Sequence, residues 1–396
     1  MTELNVLTPV GVAPEFTKGQ TKDARFPHIA KAWTDRCISY DEVMEQIETA
    51  RRSREDIEGT FGAMTPIVSE GRMVFKYVDG REFVPTDHAL AQYATYMKLS
   101  TTIVRELRQN YTLNAKKEVI RDEKDAEMLV NLLNNARRHV DLSIMRKYRT
   151  YNDGTMRAFL SDQYAYIDNR WYLDCLHEII PDGLFSHWRG NEDEFDGNIL
   201  IPETIMDRPD GDSDYGGMIS AANNEIGSGK NEQMPSLFRS ICMNGCVHKQ
   251  VKGEMRAKVH KGEIDFVSLK HDIYDNITKQ IPLFTVRIEQ FLNTRSFELG
   301  SHNFTNVIGS IAQSNKLSKE EAQQVLVEFN EYESAHRNLF GVINAITRAG
   351  QKGRVRELDT IGGSLVSMSR SDWENVLKRG ETLKSTDIQK IFGLSV

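Results

Sequence analysis

The chain is poor in the features that usually announce a function. Four cysteines, Cys37, Cys175, Cys242 and Cys246, are too few for a disulfide scaffold in 396 residues. They read as reduced thiols of a cytoplasmic protein, in the host-cell cytoplasm if the chain is viral. No stretch reaches about 18 apolar residues, which argues against a membrane helix. The N-terminus has no basic region followed by an apolar run, so no signal peptide is expected. Positive charge is not in excess: 50 Lys and Arg against 57 Asp and Glu give a net charge of -7. Global electrostatics therefore do not attract nucleic acid, although a local basic patch still can. There is no internal repeat, low-complexity tract, helix-turn-helix or zinc finger. The stretch NNEIGSGK is not a P-loop, because Asn231 follows Lys230 and the first glycine is misplaced. No catalytic residue, metal or cofactor is assigned, and binding is favoured over catalysis.

What remains is an ordinary globular composition, 39% hydrophobic and 27% charged, long enough for two domains or one body with helical additions. Three regions follow from the patterning: an N-terminal arm and helix (1–60), a mixed core (61–265) and a helical C-terminal region (266–396). Ser39 is placed to cap a helix over 40–58. Met73, Phe75 and Tyr77 alternate towards Asp79-Gly80, which predicts a hairpin of strands near 71–78 and 81–84. Helical spacing then follows from Thr86, from Thr101 and over 121–138. Alternation returns over 142–166, with further strands near 199–202, 216–222 and 237–266. Asn244-Gly245 is expected to break an apolar run over 237–243. Beyond 265 the sequence predicts helices over 266–292, 301–313, 318–332, 335–349 and 370–379, with a loop over 350–362. Ser318 and Glu321 form a capping box. The fold class is therefore α+β: a small, mostly antiparallel sheet covered by helices, with a helical C-terminal region.

Two basic sets carry the functional expectation. Arg137, Arg138, Arg146, Lys147, Arg149 and Arg157 are interleaved with Tyr148 and Tyr151, and Lys249, Lys252, Arg256 and Lys258 form the second set. Lysines and arginines track phosphates while aromatic faces stack bases. In a strand, Arg146 and Tyr148 share one side while Lys147 and Arg149 face the other, so only part of the first set shares a surface. Further bases recur at Arg348, Lys352, Arg354 and Arg356. Against this stands the plain reading of each set as a solvated surface. Cys242, Cys246 and His248 have ligand chemistry but not a knuckle spacing, and buried cysteine as a small hydrophobe is commoner. Asp162, Asp168, Asp174 and Glu178 are the carboxylates a metal-dependent nuclease would need, with His177 nearby as a base. The acidic stretch 190–215 reads as an exposed loop.

Several stretches also carry a resemblance. RAFLSDQYAYIDN (157–169), the Gly-Gly strand leading to NNEIGSG, and LFRSICMNGCV resemble phage- and plasmid-associated proteins of unknown function. DHALAQYATYMKL (87–99) and GVINAITRAG (341–350) are similar too, so the likeness spans residues 60–350. It rests on Arg157, Leu160, Ser161, Asp162, Tyr164, Asn223, Glu225, Gly227, Ser228, Arg239, Cys242, Asn244 and Gly245. Cys246 departs from it, standing where an apolar residue is expected. The resemblance implies DNA metabolism on a mobile element and supplies no activity. Together these readings give an accessory protein that binds nucleic acid, single strands above all, in recombination or replication. Arg146, Tyr148, Arg149, Tyr151, Arg157, Lys249, Lys252, Arg256 and Lys258 are its expected contacts. Asn223, Glu225, Gly227, Ser228, Asn244 and Gly245 shape its turns. Nucleic acid and further copies of the chain are the expected partners, with no membrane. The alternatives are a self-assembling structural viral protein and a metal-dependent nuclease.

Overall fold

The hairpin expected at Asp79-Gly80 forms, with strands β3 (Arg72–Tyr77) and β4 (Glu82–Pro85) and Gly80 at a φ of 96°. The computed structural model describes residues 37–393 except 110, 114–118, 122, 191–193, 208, 210–213, 240–243, 248–255, 259–261 and 351–354. Ser39 caps helix α1 (Tyr40–Arg51), and its capping box with Glu42 is complete. Strands β1 (Arg54–Thr60) and β2 (Met64–Ser69) precede the hairpin. Thr86 then caps α2 (Asp87–Tyr96), followed by α3 (Thr101–Gln109). A short ribbon, β5 (Tyr111–Leu113) with β6 (Val119–Arg121), leads to α4 (Glu123–Arg137). Strands β7 (Met145–Tyr151) and β8 (Thr155–Ser161) close a sheet of order β1-β7-β8-β4-β3-β2, antiparallel except where β4 runs beside β8. Phe61, Phe75, Tyr93 and Phe159 fill its core in mutual ring contact.

The second sheet begins after helix α5 (Asn169–Ile179). Its strands β9 (Leu184–Gly190), β10 (Glu194–Leu200), β11 (Tyr215–Asn224) and β12 (Asn231–Arg239) are antiparallel throughout. The outer edge is shared by β13 (Asn244–Val247) and β14 (Arg256–Lys258). β13 pairs from Arg239↔Asn244 to Ser236↔Val247, and β14 pairs from Gln233↔Arg256 to Asn231↔Lys258. The two segments therefore lie end to end along β12. Residues 248–255 join them across a span where β12 has only Met234 and Pro235, and Pro235 has no amide donor for a ladder. The α+β, mostly antiparallel class is thus observed, with the strands divided between two six-stranded sheets and the ribbon.

The C-terminal region is helical: α6 (Phe266–Thr278), α7 (Phe284–Asn293), α8 (Phe304–Asn315), α9 (Lys319–Glu328), α10 (Leu339–Gly350), α11 (Val355–Val366), α12 (Arg370–Thr382) and α13 (Ser385–Phe392). The helix expected over 266–292 is two, because Pro282 removes a donor and crowds the preceding turn. The loop expected over 350–362 is corrected: α11 starts at Val355, and Leu358 and Leu365 bury its face in the large core. Helix α9 ends not in a loop but in a π-helical turn, Phe329–Glu333. The bundle docks on the second sheet at Gly217, where an added Cβ would lie 2.2 Å from the Phe284 ring. Among the described residues no helix is long and apolar enough to cross a membrane.

Candidate functional site

The stretches that carry the resemblance meet in two places. The first is the junction of the two sheets, where the turn after β11 is pressed onto β8 and α2. Gly227 turns there with a φ of 77°, and a side chain in its place would crowd Leu160, Gln92 and Tyr164. Gln92 donates to the Ile226 carbonyl at 2.7 Å while its oxygen accepts from the Phe159 amide. The Tyr164 hydroxyl donates to the Asn224 carbonyl at 3.0 Å. Asn224 accepts from the Ile226 and Ser228 amides, closing the turn upon itself. Asn223 donates to the Ile167 carbonyl and to the Asn169 side chain.

At the centre of this junction is Glu225, 2% exposed. One of its oxygens accepts from Arg149 at 2.5 Å and Arg54 at 2.6 Å, and the other from the Asn169 amide at 2.5 Å. Arg149 also grips Asp56 through two nitrogens, at 2.9 and 3.1 Å, and Arg54 reaches Asp168 at 2.8 Å. Burial pushes the Glu225 carboxyl up to about 7, against the pull of Arg149 and Arg54. Burial also works to raise Asp168, but its bonds from Arg54 and the Arg170 amide outweigh it and hold the carboxyl below its ordinary range. Burial would loosen the proton of Arg149, yet Asp56 and Glu225 more than offset that and keep it charged. Every charge is met at hydrogen-bond distance. The arrangement locks the sheets together and leaves no reactive group open.

Most of the first basic set is engaged within this body, whereas Arg138 is exposed. Tyr148 is fully buried and donates to the Thr60 carbonyl, and Tyr151 is 2% exposed beneath the Arg157 guanidinium at 4.6 Å. Arg146 lies over the Tyr96 ring at 3.9 Å, and Arg149 is 1% exposed in the lock. Neither tyrosine offers a face on which a base could stack in this structure. Arg137 is likewise buried against the Met64 and Gly62 carbonyls. The carboxylates of the nuclease alternative are also engaged separately. Asp168 caps α5 and pairs with Arg54, Asp174 pairs with Arg170, and Glu178 pairs with Lys270. Asp162 is exposed and accepts only from the next amide, and His177 stacks on Tyr40. Among the described residues no three His, Cys, Asp or Glu side chains stand where they could hold a metal ion.

The second meeting place is the far end of β12. Arg239 closes that strand, opposite Asn244 at the start of β13, and Arg348 lies in the last turn of α10. Both point at Glu333, the last residue of the π turn. Arg239 donates to its Oε1 at 3.2 Å, Arg348 stands 3.7 Å from the same atom, and Arg348 is 3.8 Å from Glu328. The Arg239 and Arg348 guanidiniums lie over the rings of Phe340 and Tyr332. Glu333 is 2% exposed, and its Oε2 has no hydrogen-bond partner. The π turn makes this contact possible. Residues five apart are about 140° apart around an α-helix at 100° per residue, whereas a π turn bonds i to i+5 and brings them to one side. Glu328 and Glu333 can therefore both face Arg348.

Helices α10 and α11 both pack on β13. In sequence, 351–354 connects these two helices and 248–255 follows β13. Lys249, Lys252, Lys352 and Arg354 belong to those segments and, like Cys242 and His248, lie outside the described residues. Asn244 and Gly245 open β13 itself, so that pair starts a strand, and 240–243 lie outside the described residues. Arg256 and Lys258 are placed in β14 at the sheet edge. Nothing in periodicity marked Glu333 or the π turn; the only signal was that Arg239 and Arg348 each lie within a stretch that the resemblance had picked out. Compared with known protein families, curated proteins and solved structures, the chain matches none.

Proposed function

We propose that the protein binds nucleic acid through the edge of the second sheet around β13, as an accessory protein of the phage or plasmid type. The observation that carries this reading is the packing of α10 and α11 on β13. Two basic stretches about a hundred residues apart in sequence adjoin these elements along the chain. One contributes Lys249, Lys252, Arg256 and Lys258 against Glu254; the other contributes Lys352, Arg354 and Arg356 against Glu357. Local density of one sign suits a polyanion despite a net charge of -7. An edge strand flanked by basic segments suits the flexible backbone of a single strand, and no recognition helix for a duplex groove is evident in the sequence. Buried Arg146, Arg149, Tyr148 and Tyr151, with half-buried Arg157, serve the fold in this reading.

The test is the affinity of a labelled oligothymidylate across a salt series. Charge reversal at Lys252 and Arg256 together should weaken binding at least about tenfold and flatten its salt dependence, because fewer counterions are released. Unchanged binding in that double variant refutes the assignment. Self-association with no affinity for the oligonucleotide would favour the assembly alternative.

A further inference from the structure

We infer that Arg239 and Arg348 form a phosphate site that Glu333 occupies in this structure, its carboxylate standing in for the ligand. The inference rests on the nucleic-acid reading for its ligand and deepens it by naming the residues that grip a phosphate. Three observations support it. Glu333 is held loosely for a buried carboxylate, at 3.2 and 3.7 Å from its arginines and with Oε2 unpartnered. A phosphate has more acceptor oxygens than a carboxylate and takes guanidinium donors in pairs, so it suits two converging arginines better. The carboxylate is also delivered by a π turn, a local irregularity that reverts to α-helix when one residue's register is released. Reversion would turn Glu333 away from Glu328's side and away from the two guanidiniums. Arg239 lies opposite Asn244 at the start of β13, and the helix that carries Arg348 packs on that strand, so a single strand lying along β13 would pass them. Ligand and Glu333 then compete for one place, and the carboxylate lowers apparent affinity by the fraction of time it is seated.

The experiment compares wild type with Glu333→Gln for two probes, inorganic pyrophosphate and the oligothymidylate. The variant should bind both about tenfold tighter. Adding Arg239→Gln to it should cancel the gain. A folded Glu333→Gln protein with unchanged or weaker affinity for pyrophosphate overturns the inference. A pyrophosphate gain without oligonucleotide binding by either protein keeps the anion site and overturns the nucleic-acid reading instead. Should the variant fail to fold, amide hydrogen exchange of the wild type decides. Saturating pyrophosphate should change exchange over 329–333, and an unchanged rate there counts against the site.

Discussion

Glu225 and Glu333 are both 2% exposed, and each faces two arginines. Around Glu225 the contacts are 2.5 and 2.6 Å, the second oxygen takes a backbone amide, and the arginines are braced by Asp56 and Asp168. Around Glu333 the contacts are 3.2 and 3.7 Å, and the second oxygen takes nothing. Removing a charge from water is recovered only when geometry and further hydrogen bonds are good. The first cluster meets that condition and behaves as a fastening between two sheets. The second does not, and it sits on a π turn. Buried charge alone therefore says little about role; what separates the two is how completely each oxygen is satisfied.

The contrast can be broken most easily at its strong end. Glu225→Ala should destabilise the protein by about 3–5 kcal/mol in urea unfolding, since it strands Arg54 and Arg149 without their shared partner. A loss below about 1 kcal/mol would mean the junction is not a lock. The next effect is on pH. Glu225 ionises near 7 when folded and near the ordinary glutamate range when unfolded, so the folded state holds its proton longer. Its contribution is complete below the unfolded value and is lost as pH rises to about 7. The loss is at most roughly 3 kcal/mol over that window. In Glu225→Gln this part of the pH dependence of unfolding should vanish. Glu333→Gln should cost only about 1 kcal/mol, because its bonds are long and one oxygen is already unmet. A cost equal to that at Glu225 would erase the comparison. The smallest effect is Tyr166→Phe. Its ring lies 4.4 Å from the Arg149 guanidinium, but its buried hydroxyl has no partner. Stability should stay within about 0.5 kcal/mol.

Local chemistry was readable from the sequence where it is decided locally. The Ser318–Glu321 capping box, the Thr86 cap and the Asp79-Gly80 turn all form as their residue types demand. The helix over 355–366 was missed because Gly362 and Gly363 dilute its apolar pattern, while Leu358 and Leu365 are held by the distant bundle. The π turn was invisible for a like reason: it depends on Arg239 and Arg348, both remote in sequence from the residues they hold. Tyr148 and Arg149 were both expected at a contact surface, on opposite faces of one strand, because alternation promises an exposed face. Here β7 is buried on both sides, by the ring cluster on one and the Glu225 lock on the other. The packing of α10 and α11 on β13 likewise joins parts of the chain about a hundred residues apart, which no spacing reveals.

Ultraviolet crosslinking of a bromouracil-substituted single strand, followed by mapping of the attached peptides, addresses the central claim directly. Crosslinks should fall within 244–261 and 348–356, on either side of β13. Crosslinks confined to 146–157, or none under conditions that retain the oligonucleotide, would contradict it.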